Sequence, residues 1–229
     1  MPMTIVPIGG KRNRHGELFD AAPMNKSWLL YKREYVDKGF ERLEVFVLLA
    51  ERYGVQSVLY PGSYVHITPS FVFPAAVYAD MDRRAEKFFS DSWSREFVRK
   101  NRLYPDTPVI RFHAADYTAG FDEPPQSFDL LVSQYAGFVS EHCKKYLKPG
   151  GLLLANDSHG DAGLARLDPD YRLVAVVSRR NQRVRLLETD LHEYFIPKSG
   201  ERITRDHLIT SGRGAGYSKA AWAYIFRLG

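Results

Sequence analysis

Two sets of polar residues have types and spacings suited to chemistry. The first is "NDSHGD" (156–161). A histidine exchanges a proton near neutral pH, and a nearby carboxylate can orient its ring. His159 is therefore a candidate general base and Asp157 its orienter, with Asn156 and Asp157 as candidate substrate contacts. The structural alternative is that Asp157 or Ser158 caps a helix beside an exposed histidine. The second set is spread along the chain: Gly62 and Ser63, then Asp80 and Asp82, then Asp116, then Gln134 and Tyr135. Asp80 follows Gly62 by 18 residues (80 − 62), near the roughly 20 that separate a glycine turn from a ribose-holding acid. One carboxylate accepts from two hydroxyls at once, which suits an acid to that place. Asp82 competes for the role, but it precedes "RRAEKF" and reads as a helix N-cap. Asp116 reads equally as an Asx-turn residue. Tyr135 either lines an acceptor pocket or packs under the next helix.

The elements that would position these residues alternate. A helix is predicted over Lys26–Val36 and another over Phe40–Tyr53, where Phe40, Leu43, Phe46, Val47 and Ala50 share a face and Gly54 is the stop. Apolar runs predict strands at 56–60, 75–79, 109–114, 127–134 and 152–156. Helices fall at 83–89, 93–103 and 140–147, the last with Ser140 as N-cap and "KPGG" as its breaker. "YRLVAVVS" and "RVRLLET" read as a hairpin, and "AAWAYIF" as an antiparallel closing strand. Strands alternating with helices predict a parallel sheet covered on both faces. Asp80, Asp116 and Gln134 lie at or just after strand ends, so they gather at one edge of the sheet, where ligands of such folds bind.

Composition narrows the class. The chain has 229 residues, is 45% hydrophobic and 26% charged, and carries a net charge of +5. That is a globular profile. The basic clusters "KRNR" (11–14) and "SRRNQRVR" (178–185) are short and read as an arm and a hairpin tip. Nucleic acid is thus a possible partner but not the favoured one. The single cysteine, Cys143, allows no internal disulfide and reads as core. No run approaches the ~20 apolar residues of a membrane span, and the N-terminus lacks the order of a secretory signal. The expectation is a cytoplasmic protein of unassigned oligomeric state. The histidines, among them His66, His113 and His142, show no metal-ligand spacing, so no metal site is expected.

In order, "VLYPGS", "VYADMD", "RFHAADY", "FDLLVSQ" and above all "CKKYLKPGGLLLAND" resemble the class I S-adenosylmethionine-dependent methyltransferases. The resemblance covers residues 40–229 and implies a Rossmann-like three-layer sandwich, with a mostly parallel seven-stranded sheet and an antiparallel C-terminal strand. It implies S-adenosylmethionine as cofactor, held by Pro61, Gly62, Ser63, Tyr64, Asp80 or Asp82, Asp116, Tyr117, Ser133 and Gln134. Residues 1–39 then form an N-terminal extension or lid, with Trp28 over the acceptor; packing of Trp28 against the Phe40–Tyr53 helix is the alternative.

The turn departs from the nucleotide-binding pattern. Only residues 63–74 separate Gly62 from the second strand, room for a short helix from Thr68-Pro69 to Pro74. A dinucleotide site needs further glycines and a full helix N-terminus for its pyrophosphate, so a nicotinamide oxidoreductase ranks third. S-adenosylmethionine carries no phosphate; one glycine with Ser63, Tyr64 and His66 could serve it. Gly62 is read as a point of backbone approach to the ligand, so a side chain there should block the cofactor and leave the fold intact. "GRGAGY" (212–217) precedes the last strand and reads as a flexible turn. "SQYAG" (133–137) lacks the Asn/Asp-Pro-Pro-aromatic motif of nucleic-acid amino-methyltransferases, which disfavours that activity. The expected function is methyl transfer to a small-molecule acceptor, with Tyr135 and His159 as catalytic candidates. The alternative is a methyltransferase-fold protein that binds a nucleoside-type ligand or RNA without transfer.

Overall fold

Five apolar runs become the parallel strands β1 (Ser57–Pro61), β2 (Ala75–Ala79), β3 (Val109–His113), β4 (Phe128–Ser133) and β5 (Leu147–Ala155). The computed structural model describes residues 25–180 and 183–229. The basic arm at 11–14 and the hairpin tip at 181–182 lie outside the described residues. Three more strands complete the sheet: β6 (Tyr171–Arg180), β7 (Arg183–Leu187) and β8 (Ala223–Leu228), in the order β3-β2-β1-β4-β5-β8-β6-β7. β8 runs antiparallel to both β5 and β6, and β7 antiparallel to β6.

The α/β architecture and the antiparallel closing strand are as expected. The sheet has eight strands, not seven. The reason is that the outer arm of the hairpin has an apolar face. Val184 and Leu186 of β7 pack into the same core as the helix α2 (Leu43–Tyr53).

Alternation along the central strands separates two cores. Val58, Tyr60, Tyr78, Leu130 and Val132 face one way. That core is covered by α1 (Lys26–Tyr31), α2, α3 (Pro69–Val72), α4 (Arg83–Ser90) and α5 (Ser92–Asn101). Leu59, Val77, Leu131 and Leu153 face the other, under α6 (Val139–His142) and α7 (Asp161–Leu167). The helix α8 (Arg205–Ser211) packs on α7. Both faces of β1, β2 and β4 are buried along most of their length, which explains their continuous apolar runs.

Several boundaries differ from the sequence reading. α2 begins at Leu43 because Arg42 adopts a left-handed φ of 56°, which leaves Phe40 46% exposed. The helix expected over 140–147 is only α6 and a 3-10 turn, and "KPGG" lies inside β5. Ser140 is not the N-cap. Its amide and hydroxyl both donate to Asp161, a buried carboxylate at the start of α7. The helix over 26–36 is present, α1 running into a π turn. It has no core of its own: Tyr31 is fully buried in the main core. Trp28 packs on Trp93 and Phe97 of α5, at 5.6–6.1 Å between ring centroids. Among the described residues, no helix is long and apolar enough to cross a membrane.

Asp161 joins three elements, since Ser133 at the end of β4 also donates to it. Burial pushes its carboxyl up to about 6. The folded protein therefore holds this proton more tightly than the unfolded chain does. The contribution to stability falls as pH rises from the ordinary carboxyl range through about 6. Asp161→Asn has no charge to desolvate. Its stability relative to the parent should improve by about 1–3 kcal/mol between roughly pH 4 and pH 7, measured by urea unfolding. A difference that ignores pH would show that burial does not shift this group.

Candidate active site

At the carboxyl edge of a parallel sheet the chain leaves the ladder and its loops converge. Here β1, β2, β3, β4 and β5 lead into Gly62, Asp80, Asp116, Gln134 and Asn156.

The turn after β1 is closed by its own protein. Gly62 and Ser63 donate their amides to the Ala79 carbonyl, at 2.8 and 3.3 Å. Tyr64, at φ 47°, donates its amide to Asp80 Oδ2 at 2.8 Å. The Ser63 hydroxyl is buried and donates to the Tyr64 carbonyl. Gly62 has φ 63°, and a Cβ on it would lie 2.3 Å from Ala136 Cβ. The glycine thus admits the turn after β4. The expectation that a side chain here would spare the fold is corrected on that contact. His66 is no free donor either. Its ring is buried between the Tyr60 hydroxyl and the Glu41 carbonyl, and burial pushes it down to about 3.

The acids divide by role. Asp82 caps α4, accepting the Arg84 amide at 2.7 Å and its guanidinium, which holds the carboxyl below its usual range. Asp116 forms an Asx turn with the Thr118 amide. Asp80 is half-buried, and each of its oxygens accepts one amide, from Tyr64 and Asp82. It pairs with no Lys or Arg among the described residues, so each oxygen keeps a lone pair for a further donor. Tyr117 ties its hydroxyl to the Ala136 carbonyl at 2.6 Å. Ser133 donates its hydroxyl to Asp161 at the start of α7.

The β4 and β5 ends form a cleft. Gln134 is buried, and its Oε1 accepts from Arg42 Nη1. Tyr135, at φ 60° and 58% exposed, leans over Arg42. The Arg42 guanidinium lies 5.2 Å from the Tyr135 ring centroid and 5.3 Å from that of Trp222. It has no carboxylate partner among the described residues. Arg42 Nε, Gln134 Nε2 and Asn156 Nδ2 are buried donors without an acceptor. Next to them is a cavity of ≈ 290 Å³ lined by Tyr135, Asn156, Asp157, Tyr217, Trp222 and Tyr224. Trp28 is not among its walls.

Asp157 accepts the Gly163 amide at 2.9 Å, in the first turn of α7, but the N-cap residue is Gly160, not Asp157 or Ser158 as the alternative reading held. Burial pushes its carboxyl up to about 6. His159 is exposed, and Asp157 is not bonded to it. The base-and-orienter pair therefore does not form. Sequence reasoning missed Arg42 and Trp222. Arg42 stands at the start of an amphipathic run, where a surface arginine is ordinary; Trp222 lies within a strand-like run, and only the topology brings it here. No group of three metal-ligating side chains occurs among the described residues.

No protein-family model matches the chain, and no curated protein matches it. Solved structures do. A putative O-methyltransferase from Klebsiella pneumoniae is 13% identical, with 72% of this chain and 89% of that chain covered at a TM-score of 0.47. A methyltransferase from Geobacter sulfurreducens is 16% identical, covering 74% and 89% at 0.45. An O-methyltransferase from Bacillus cereus in complex with SAH is 12% identical, covering 72% and 90% at 0.46. Each of the three is described as a methyltransferase or O-methyltransferase.

Gly62→Ala should cost about 2–4 kcal/mol, from overpacking against Ala136 and a left-handed φ. Adding Ala136→Gly should recover the packing part. Equal unfolding midpoints for Gly62→Ala and the parent would show that the two turns do not touch.

Proposed function

We propose that this chain transfers a methyl group from S-adenosylmethionine to a small-molecule acceptor held between Tyr135 and Trp222. The observation that carries the reading is the set of buried donors lacking acceptors, Arg42 Nε, Gln134 Nε2 and Asn156 Nδ2, beside the cavity at the carboxyl edge. Each such group left unpaired costs about 1–3 kcal/mol. A fold that keeps them together supports a ligand that completes them.

The residues present fit the cofactor. Asp80, with a lone pair on each oxygen and no cation, would hold the ribose hydroxyls. Gln134 Nε2 and the buried, unpartnered Tyr64 hydroxyl would meet its polar groups. The amides of Gly62, Ser63 and Tyr64 are committed to β2, so side chains take over what the turn would otherwise supply. When bound, S-adenosylmethionine supplies an electrophilic methyl group on a positively charged sulfur. The chain's own work is positioning and proton removal. Tyr135 and Trp222 flank the acceptor and exclude water. Asp157 is the base in this reading: it lines the cavity and its carboxyl is shifted to about 6, so it is ionised near neutral pH and can take a hydroxyl proton. His159, exposed and unoriented, serves at most to pass that proton to solvent.

A second reading, ligand binding without transfer, is supported by the contact of Gly62 with Ala136. Turnover separates the two. Calorimetry with S-adenosylmethionine, S-adenosylhomocysteine and NADH is the first test, and heat with NADH alone would overturn both. Asp80→Ala should weaken S-adenosylhomocysteine about 10- to 150-fold, the range for a hydrogen bond to a charged group. Asp82→Ala should act mainly on α4, at about 1 kcal/mol of stability. If Asp82→Ala alone abolished binding, the ribose would be misplaced. Asp157→Asn keeps an acceptor for the Gly163 amide, so it should bind S-adenosylhomocysteine normally and lose turnover. Parent activity should rise with pH through about 6, as Asp157 ionises; full activity in Asp157→Asn would return the role of base to another group.

A further inference from the structure

We propose that a groove on the outer hairpin binds phosphate groups of the acceptor whose reacting end enters the cavity at Trp222. The inference rests on the acceptor placement above, but the groove can be tested without it. The β6–β7 pairing sets Arg180 directly opposite Arg183, and Ser178 opposite Arg185. Cross-strand partners share a face, and residues two apart on one strand do as well. Arg180, Arg183 and Arg185 therefore stand on one face. Like charges set directly opposite each other destabilise a sheet. None of the three pairs with a carboxylate among the described residues. Two of the nearby acids are taken, Glu188 by Arg52 and Glu193 by Lys219. The opposite face of β7, Val184 and Leu186, is anchored in the core.

These arginines line a groove of ≈ 850 Å³ with Arg179, Lys219 and Trp222. The groove and the acceptor cavity share Ala220, Ala221 and Trp222. The Arg179 guanidinium lies 5.2 Å from the centroid of the Trp222 ring that Arg42 also meets. Topology explains the continuity. β6 ends, and β7 and β8 begin, at the edge where β5 ends. Guanidinium forks suit phosphate oxygens. An isolated charge would be enough to protect an edge strand from pairing. Several clustered arginines without acids fit an anion with more than one phosphate. Such phosphates belong either to a phosphorylated small molecule or to a nucleic-acid backbone.

The test uses tripolyphosphate, ATP and a ten-nucleotide oligouridylate on the full chain, with binding followed by calorimetry at low and high salt. The parent should bind tripolyphosphate, more weakly as salt rises. The Arg180→Ser/Arg183→Ser/Arg185→Ser variant should bind it at least ~10-fold less tightly. Its melting temperature without ligand should equal or exceed the parent's, because the like-charge pair is gone, and tripolyphosphate should stabilise the parent only. Binding that is absent at low salt, or unchanged in the variant, overturns the proposal. Tighter binding of ATP than of the oligonucleotide assigns the phosphates to a small molecule; the reverse assigns them to a nucleic-acid strand. Both support the groove. S-adenosylhomocysteine affinity should be the same in the variant and the parent. If that ligand fails to bind either, the methyltransferase reading falls while the tripolyphosphate result still decides the groove.

Discussion

The contact between Gly62 and Ala136 sets the layout of the whole carboxyl edge. Only a residue without a Cβ lets the turn after β1 meet the turn after β4. Once they meet, the amides of the first turn close onto the end of β2, and Tyr117 bonds the Ala136 carbonyl from the β3 side. The centre of the edge is then protein. Unsatisfied polar groups remain on either side of it: Asp80 with its spare lone pairs, and the donors of Arg42, Gln134 and Asn156. A ligand at this edge is gripped by side chains, where a glycine-rich turn would grip it by backbone.

The acids on the far side of β4 and β5 show how burial divides similar groups. Asp157 and Asp161 are four residues apart at the start of α7, and burial raises both carboxyls to about 6. Asp161 is enclosed and accepts from Ser133 and Ser140, which fixes the end of β4 and the start of α6. Asp157 gives one oxygen to the Gly163 amide and stands on a cavity wall. One carboxylate therefore orders the elements that shape the site, and the other is left facing it.

The fold was legible because its signals are local. β2 and the stop of α2 at Gly54 follow from runs of apolar residues and a glycine with positive φ. The Asp82 cap and the Asx turn of Asp116 were legible for the same reason, since each partner lies two residues away. Errors arose where a distant group intervened. Ser140 looked like an N-cap, yet Asp161, 21 residues on, takes its amide and hydroxyl. Asp157 looked like the partner of His159, yet the Gly163 amide competes better for it. The strand count went wrong because the hairpin's outer arm is half apolar, and only its packing on α2 shows that it joins the sheet. The cleft itself was out of reach, because Arg42 and Trp222 are 180 residues apart in the chain (222 − 42).

That separation is bridged by the reversed direction of β8. If β8 ran parallel to β5, its start would lie at the amino edge and Trp222 with it. Because β8 is antiparallel, Ala155 pairs with Tyr224, and the residues just before the strand arrive beside Asn156. The Trp222 amide is fixed there by the Val177 carbonyl at 3.0 Å. The same reversal makes β6 parallel to β5, so that Arg179 and Arg180 also rise to the carboxyl edge. An all-parallel sheet of these residues would leave Trp222, Arg183 and Arg185 at the other end, away from Asp80. The inserted strand therefore does more than close the core. It brings the acceptor side and the basic groove to the edge where the acid of β2 stands.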